Sequence, residues 1–232
     1  MVEGRDLSGE QRYELKLVVE ARLVNQARSW IWLHPEAFRV AYPPRLVNNL
    51  YLDTVELSHF NANLAGTAER RKLRLRWYGE SEPATVQTAV MELKIKNGQL
   101  GDKRRWPLPE PLPLDQPYAD LLRQVRLTAP PFWQPWLNQN TQPTLINRYE
   151  RAYYATPDGQ LRLTLDFNQR FFDQRLSQRP NLDWPLPGTG AAVIEIKAPP
   201  AYGRRLEQAM GYFPLLRSRN SKYVIGVAGG SL

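Results

Sequence analysis

Residues 69–79 read ERRKLRLRWYG, residues 90–98 read VMELKIKNG and residues 102–107 read DKRRWP. From residue 72 in the first of these segments, and throughout the second, an apolar residue separates each charged residue from the next, and these charged positions are Lys72, Arg74, Arg76, Glu92, Lys94 and Lys96. Alternation with a period of two predicts β-strands that have one charged face and one apolar face. Asn97 and Gly98 predict a turn between the second segment and the third.

The charged faces of these strands are mainly basic. On neighbouring strands the basic side chains would lie roughly 5 Å apart, and like charges directly opposite each other destabilise a sheet. The repulsion is about 1 kcal/mol per pair in water and several-fold more at an effective dielectric constant of ~20. A polyanionic ligand would remove this cost, so the pattern favours binding of a polyanion over a merely solvated basic face.

Similar alternation occurs in residues 12–19, 144–154, 161–166 and 192–197. Together the segments predict a mainly β (α+β) fold, in which an antiparallel sheet closes into a barrel with a charged lumen and an apolar exterior covered by helices. The alternative is an antiparallel sheet that turns its charged face to solvent, but such a sheet usually mixes both signs. The strand patterns on both sides of the proline-rich segments are alike, so we expect residues 1–232 to form a single domain.

Composition limits the function further. The formal net charge of +8 favours an anionic partner. The absence of cysteine excludes disulfides, thiolate metal sites and a cysteine nucleophile. The N-terminus has no apolar signal segment and no apolar run is long enough to span a membrane, so a cytoplasmic protein is expected.

Several other classes of site fit the sequence poorly. There is no phosphate-binding G-x-x-x-x-G-K-[ST] loop and no G-x-G-x-x-G motif after a strand. The two histidines, His34 and His59, have neither zinc-ligand spacing nor the context of a catalytic triad. Nucleic acid is not expected as a partner, because the aromatic residues lie mainly on the apolar faces or in the proline-rich loops.

Nine motifs occur in one order, namely RYELK, NNLYLDT, RKLRLRWYG, MELKIK, KRR, NRYERAYY, LRLTLD, VIEIK and SKYVIG. Together they resemble the VTC domain, the polyphosphate polymerase domain of the triphosphate tunnel metalloenzyme (CYTH-like) superfamily, in its stand-alone bacterial form. The resemblance extends from about Arg12 to Val227. It implies a closed eight-stranded antiparallel β-barrel tunnel with flanking helices. The implied activity is transfer of the γ-phosphate of ATP to a growing polyphosphate chain, with Mn²⁺ or Mg²⁺.

The resemblance also implies roles for individual residues. The catalytic positions would be Lys222, Arg74, Arg76 and Lys94. The phosphate-binding positions would be Arg12, Lys16, Lys103, Arg105, Arg151, Arg162 and Lys197, with Arg104 competing for the role of Lys103. Glu195 matches the metal-binding carboxylate, and an ion pair with Lys197 is the alternative reading of that residue.

The first strand of this chain departs from the superfamily at one position that distinguishes the triphosphatase branch from the polymerase branch. Triphosphatase members resemble E-x-E-x-K in the first strand, whereas this chain has RYELK and therefore Arg12 in place of the first glutamate. Replacing an anion by a cation removes a metal ligand and adds a phosphate contact, which favours the polymerase. A tunnel triphosphatase or nucleotide phosphatase and a non-catalytic polyphosphate or nucleotide sensor stay as alternatives. The expected ligands are ATP and inorganic polyphosphate, and a membrane-protein partner is left open.

Overall fold

The computed structural model describes residues 12–79, 85–97, 100–188, 190–218 and 220–229. The strands in this part of the chain are β1 (Tyr13–Glu20), β2 (Arg39–Asp53), β3 (Glu69–Tyr78), β4 (Thr85–Val86), β5 (Ala89–Asn97), β6 (Leu100–Pro107), β7 (Leu112–Pro113), β8 (Gln142–Ala155), β9 (Arg162–Asp173) and β10 (Ala191–Ala198). The α-helices are α1 (Val24–Trp32), α2 (Ser58–Ala65), α3 (Tyr118–Thr128), α4 (Gln134–Gln139), α5 (Gly203–Gly211) and α6 (Lys222–Val227). None of the helices in these ranges has both the length and the apolar character needed to cross a membrane.

Eight of the strands form one antiparallel sheet in the order β1-β10-β9-β8-β2-β3-β5-β6, and β4 pairs with β7 in a separate small sheet. The prediction of a mainly β fold with flanking helices is confirmed, and strands from both sides of the proline-rich segments share one sheet. The predicted hairpin between β5 and β6 is present, since Asn97 pairs with Leu100. Gly98, which was predicted to form its turn, lies outside the described residues.

The prediction of a closed barrel is wrong, because the sheet is open. Among the described residues β1 and β6 are the two edges and do not pair with each other. Part of the free edge of β1 is instead covered by the chain that follows α5. Leu17 forms an isolated antiparallel bridge with Arg217, and the backbone N–H of Ser218 donates to the carbonyl oxygen of Lys16 at 3.1 Å. Backbone groups that closure would have paired are therefore satisfied by another segment.

The open sheet is nevertheless strongly curved. Glu14 lies on β1 and Lys94 on β5, with five strands between them in the sheet order. Even so, the Nζ atom of Lys94 lies 2.7 Å from Oε2 of Glu14. Such a contact requires the charged faces of the two strands to turn towards each other. The charged face of the sheet is therefore concave.

The apolar face is convex and is covered by helices, as the alternation predicts. One core cluster joins β2, β3, β5 and β8 to α3 and α4, and includes Leu50, Leu73, Leu75, Trp77, Leu121 and Leu137. The other joins β1, β9 and β10 to α1 and α5, and includes Leu17, Ile31, Leu165, Ile194 and Leu206. Burial of these side chains stabilises the fold by roughly 25 cal/mol per Å² of apolar surface. The charged side chains are thereby held on the opposite face.

Helix α6 lies on the concave side, against β8 and β9. Tyr223 stacks on Tyr51 with ring centroids 4.7 Å apart, and its hydroxyl donates to Oδ2 of Asp53 at 2.5 Å. Gly226 permits the close approach, because a Cβ atom there would lie only 2.4 Å from the side chain of Leu145. Packing of α6 thus brings its first residues to the middle of the charged face.

Candidate active site

The concave face carries many more cations than carboxylates. Its buried carboxylates are Glu14, Glu92, Asp166 and Glu195. Its cations are Lys16, Lys72, Arg74, Arg76, Lys94, Lys96, Lys103, Arg105, Arg151, Lys197 and Lys222. The seven lysines of the sequence are all among them. Cations elsewhere on the molecule are arginines.

The first group, which we name the Glu92 cluster, consists of Glu92 and the four basic side chains that contact its carboxylate. Arg74 donates from Nε and Nη2 to Oε2 at 2.9 and 2.7 Å, and Nη1 of Arg76 lies 3.5 Å from the same oxygen. Lys103 contacts Oε1, and Nε of Arg105 lies 3.4 Å from it. Burial alone would raise the pKa of Glu92, but these cations hold it far below its usual range.

Buried polar groups orient one of these guanidinium groups. Nε of Arg76 donates to Oδ1 of Asn49 at 2.7 Å, and Asn49 in turn donates from Nδ2 to Oδ1 of Asn147 at 2.7 Å. Nη2 of Arg76 also donates to the hydroxyl of Tyr149 at 3.4 Å. Because side-chain networks of this kind restrict rotamers, the protein itself fixes the orientation of the Arg76 guanidinium group. The sequence analysis did not identify these supporting residues, although they lie in the motifs NNLYL and NRYER.

The second group, the Glu14–Glu195 cluster, consists of these two carboxylates with Lys16, Lys94 and Lys197. Nζ of Lys16 lies between them, 3.2 Å from Oε1 of Glu14 and 3.3 Å from Oε2 of Glu195. Lys94 contacts Glu14 at 2.7 Å, and Lys197 contacts Glu195 at 2.5 Å. Burial alone would lower the pKa of Lys16, but the two carboxylates raise it above its usual value.

Within the Glu14–Glu195 cluster, the two carboxylates are the groups whose oxygens could hold a small divalent cation in place of the lysines that contact them. Burial and the charge of Glu14 alone would raise the pKa of Glu195. The neighbouring lysines nevertheless hold this pKa well below its usual value, so the carboxylate of Glu195 is ionised. The described residues contain no convergent set of three His, Cys, Asp or Glu side chains. Mg²⁺ in phosphate-transfer sites is bound through one or two carboxylates plus substrate phosphates. Glu195, with Glu14 beside it, supplies a donor set of that kind.

The third group, the Asp166 cluster, joins β8, β9 and α6. Arg151 donates to Asp166 through Nε and Nη2 at 2.5 and 2.7 Å, and Lys222 donates to Oδ2 at 2.7 Å. Both cations also lie over the ring of Tyr149, at 5.2 and 4.9 Å from its centroid. Burial would raise the pKa of Asp166, but the two cations lower it to about 2. Lys222 is thus an internal residue with an 11% exposed side chain.

Most of the predicted site residues lie together on the concave face. Lys103 and Arg105 both reach Glu92, whereas Nε of Arg104 lies 3.2 Å from Asp102. Two predicted phosphate-binding residues lie outside the three clusters. Arg162 is exposed at the start of β9, paired in register with Lys197, and Arg12 immediately precedes β1.

The carboxylates Glu14, Glu92 and Asp166 were not predicted as site residues, although Glu92 was placed on the charged face. A signal for two of them was present, because Glu14 and Glu92 each stand two residues before a predicted lysine and therefore share its face. Lys72 was also missed as a site residue, and its Nζ donates to Oγ of Ser221 at 2.8 Å. A cavity of about 1260 Å³ opens beside this contact and is lined by Lys16, Lys72 and Lys94 among others.

The fold and the site define a class, namely proteins with a curved antiparallel sheet whose concave face is lined by lysine, arginine and a few buried carboxylates. The VTC domain family matches residues 11–229, nearly the whole chain, and the protein belongs to this family. The family predicted from the nine motifs is thus confirmed. Comparison with curated protein sequences gave no match.

Three solved structures are similar to this chain. A candidate adenylate cyclase from Vibrio parahaemolyticus has a TM-score of 0.53 and 14% identity, over 94% of this chain and 98% of that one. A candidate adenylyl cyclase from Hippeastrum with dominant triphosphatase activity has a TM-score of 0.49 and 17% identity, over 97% and 98%. A Pyrococcus horikoshii protein has a TM-score of 0.48 and 13% identity, over 92% and 96%. The likeness to the Vibrio protein is one of fold.

Proposed function

We propose that this VTC-domain protein is a metal-dependent phosphotransferase that lengthens inorganic polyphosphate with the γ-phosphate of ATP. One observation carries the proposal, namely that every lysine of the sequence faces one concave surface together with Arg74, Arg76, Arg105 and Arg151. Arginine supplies bidentate contacts to phosphate and lysine supplies a point charge. A chain of phosphates is the ligand whose charge pattern matches such a surface.

We assign binding of the substrate phosphates to the cluster in which the positive charges most outnumber the negative charges. Arg74 and Arg76 share Glu92 with Lys103 and Arg105, so one negative charge neutralises at most a third of the positive charge around it. Phosphate oxygens would remove the remaining repulsion, which is several kcal/mol per close pair at an effective dielectric constant of ~20. The Glu92 cluster therefore holds phosphates of the substrate.

The transfer step needs positioning and neutralisation of charge more than covalent chemistry by the protein. Lys222 and Arg151 share the single carboxylate of Asp166, and Lys222 is additionally fixed over the ring of Tyr149. These two residues would bind the oxygens on which charge develops. The acceptor is a terminal phosphate that is already anionic, so the site needs no strong general base.

Glu195, with Glu14, would hold Mn²⁺ or Mg²⁺. Such an ion would supply Lewis-acid stabilisation of the charge that develops on the transferred phosphate. Lys16, Lys94 and Lys197 bind phosphate next to these carboxylates, and their ammonium groups keep both carboxylates ionised. Arg12, which replaces a metal-binding glutamate of the triphosphatases, and Arg162 would extend the phosphate path. A membrane-protein partner stays a prediction.

The test is the reaction itself. Pure protein is incubated with ATP and Mn²⁺ or Mg²⁺, polyphosphate is resolved on a gel, and free phosphate is measured in parallel. A ladder of polyphosphate is expected. Release of phosphate without polyphosphate would make the protein a triphosphatase or nucleotide phosphatase, and binding without turnover would make it a sensor.

A pair of variants tests the assigned site in the same assay. Lys222→Ala should lose about 10²-fold in turnover, as for other positioned charge-stabilising donors, with a smaller loss of polyphosphate binding. Arg123→Ala removes an exposed cation of α3 that pairs with Asp120, and it should leave turnover unchanged. Equal activities of the two variants would remove Lys222 from the reaction.

A further inference from the structure

Beyond the Asp166 cluster the concave face ends in a group of aromatic residues. This group, which we name the tyrosine rim, consists of Tyr42, Arg45, Tyr78 and Tyr153. Tyr42 and Tyr78 are 60% and 43% exposed. The rings of Tyr42 and Tyr153 meet edge to face with centroids 6.0 Å apart, and the guanidinium carbon of Arg45 lies 5.9 Å from the ring centroid of Tyr78.

A bulge in β2 creates the rim. Tyr42 pairs with Tyr153 and Arg45 pairs with Arg151, so three steps along β2 are matched by two along β8. In a regular strand, residues 42 and 45 would point to opposite faces. The irregularity at Pro43 and Pro44 brings both side chains to the face of Arg151, which is the kind of re-aiming that bulges provide.

The rim is not explained by packing. Tyr154, the next residue along β8, packs against the convex core, whereas Tyr153 lies on the other face and belongs to neither core cluster. Burial raises the pKa of Tyr153, and Tyr78 and Arg45 are among the groups close enough to influence it. The aromatic rings of the tyrosine rim therefore lie together, exposed to solvent, next to a strongly cationic surface.

The distance from the rim to the phosphate-binding arginines suits a nucleotide. Tyr153 is two residues from Arg151, and Tyr78 is two residues from Arg76 and four from Arg74. Four residues of a strand span about 13 Å. An extended nucleoside triphosphate has a similar reach between its base and its last phosphate. Bases stack on aromatic rings and on arginine planes, whatever the base.

We propose that the tyrosine rim stacks the base of a nucleoside triphosphate whose phosphates lie on the Glu92 and Asp166 clusters. The inference rests on the proposed function and adds to it where the base of the nucleotide donor binds, and that the nucleotide enters from the rim. Inorganic polyphosphate has no base and gains nothing there. The rim thus distinguishes the donor from the acceptor.

The experiment compares two ligands without metal. Dissociation constants for ATP and for tripolyphosphate are measured by calorimetry on the wild type and on Tyr42→Ala/Tyr78→Ala. The variant should bind ATP about tenfold more weakly or worse, and tripolyphosphate as the wild type does. Tyr42→Phe/Tyr78→Phe keeps the rings and should bind both ligands normally. Tyr212→Ala removes an exposed tyrosine at the end of α5 as the matched control.

Three other results are possible, and each contradicts a different part of the argument. Unchanged ATP affinity in the double alanine variant would overturn the stacking site and leave the proposed function standing. Equal weakening of ATP and tripolyphosphate would show that the tyrosines support the phosphate site, which also overturns stacking. A wild type that binds neither ligand would overturn the proposed function and this inference with it.

Discussion

The Glu92 cluster surrounds one carboxylate with three arginines and one lysine, whereas the Glu14–Glu195 cluster surrounds two carboxylates with three lysines. The first leaves a large positive excess in planar groups that keep their charge and bind phosphate in fixed directions. The second is nearer to neutrality, and its lysines are compact ions on flexible stems. The comparison predicts that the Glu92 cluster binds phosphate in fixed directions, whereas the Glu14–Glu195 cluster has less excess positive charge with which to bind it.

Strand register produces the difference. β1 and β10 each contain Glu-x-Lys, and antiparallel pairing sets Glu14 opposite Lys197 and Lys16 opposite Glu195. Each of these four charges faces its opposite. Around Glu92, by contrast, Arg74 on β3 and Arg105 on β6 face the same carboxylate, and Arg76 faces Val90. Basic side chains that share one carboxylate leave an excess of positive charge, so the Glu92 cluster stores the repulsion that a polyanion would relieve.

The largest effect is expected for Glu92→Gln. The substitution leaves four cations without their shared carboxylate, and removal of one partner from a buried ion pair costs about 3–5 kcal/mol. Unfolding by urea should show a loss of this size, and saturating tripolyphosphate should restore much of it. The control Glu207→Gln breaks an exposed pair with Arg217 and should cost no more than about 1 kcal/mol. Equal losses for the two variants would contradict the stored repulsion.

Glu195→Gln should change catalysis rather than stability. Lys16 and Lys197 keep Glu14 as a partner, so the fold should tolerate the substitution better than it tolerates Glu92→Gln. Loss of the charge that attracts a divalent cation should reduce metal-dependent turnover by about 10²-fold or more. Binding of metal-free tripolyphosphate should persist or tighten. Turnover like that of the wild type would leave Glu195 as an ion-pair residue.

The faces of the strands could be predicted from the sequence because side chains alternate strictly along a strand. That rule placed Lys16, Lys94 and Glu195 on one face correctly. It does not specify how far a sheet curves or which segment covers its edge. Closure was predicted wrongly for this reason, since the edge of β1 is covered by Arg217 and Ser218, about two hundred residues away in the chain.

The partners of the charged residues could be predicted less well than their faces. Glu14 and Lys94 meet only because the sheet curves, and no local pattern encodes that contact. Lys222 has no acid nearby in sequence and depends on Asp166, which α6 reaches by packing against β8 and β9. Motifs identified the residues of the site, whereas tertiary packing decided their pairs.

A moderate effect is expected on the rate at which lysine side chains are acetylated. Acetylation reports on the concave face because every lysine lies there. Tripolyphosphate should slow acetylation of Lys103 several-fold without metal, and should protect Lys197 less, since the Glu14–Glu195 cluster has the smaller positive excess. Peptide mass spectrometry measures both sites in one sample. Protection should weaken with ionic strength, as screening of exposed charges requires. Equal protection of Lys103 and Lys197 would contradict the statement that the Glu92 cluster binds phosphate more strongly than the Glu14–Glu195 cluster.

The smallest effect is a proton taken up on binding, and it arises because Lys103 stands among arginines. Burial lowers its pKa, Glu92 opposes this, and Arg74 and Arg76 add to the lowering, which brings the pKa to about 6. At pH 7 the free protein therefore holds Lys103 mostly neutral. A phosphate chain beside it favours the ammonium form and raises its pKa, so binding at pH 7 must take up a fraction of a proton.

Uptake should be largest between pH 6 and the raised pKa of the complex, and should vanish well below pH 6, where Lys103 is protonated in both states. Calorimetry in two buffers of different ionisation enthalpy measures the number of protons. Tripolyphosphate also titrates in this range, but it does so equally with Lys103→Arg, whose guanidinium stays charged. The difference between the wild type and this variant thus isolates Lys103. Identical uptake by the two proteins would mean that Lys103 is already charged in the free protein, and the Glu92 cluster would then hold four cations around one carboxylate before any ligand binds.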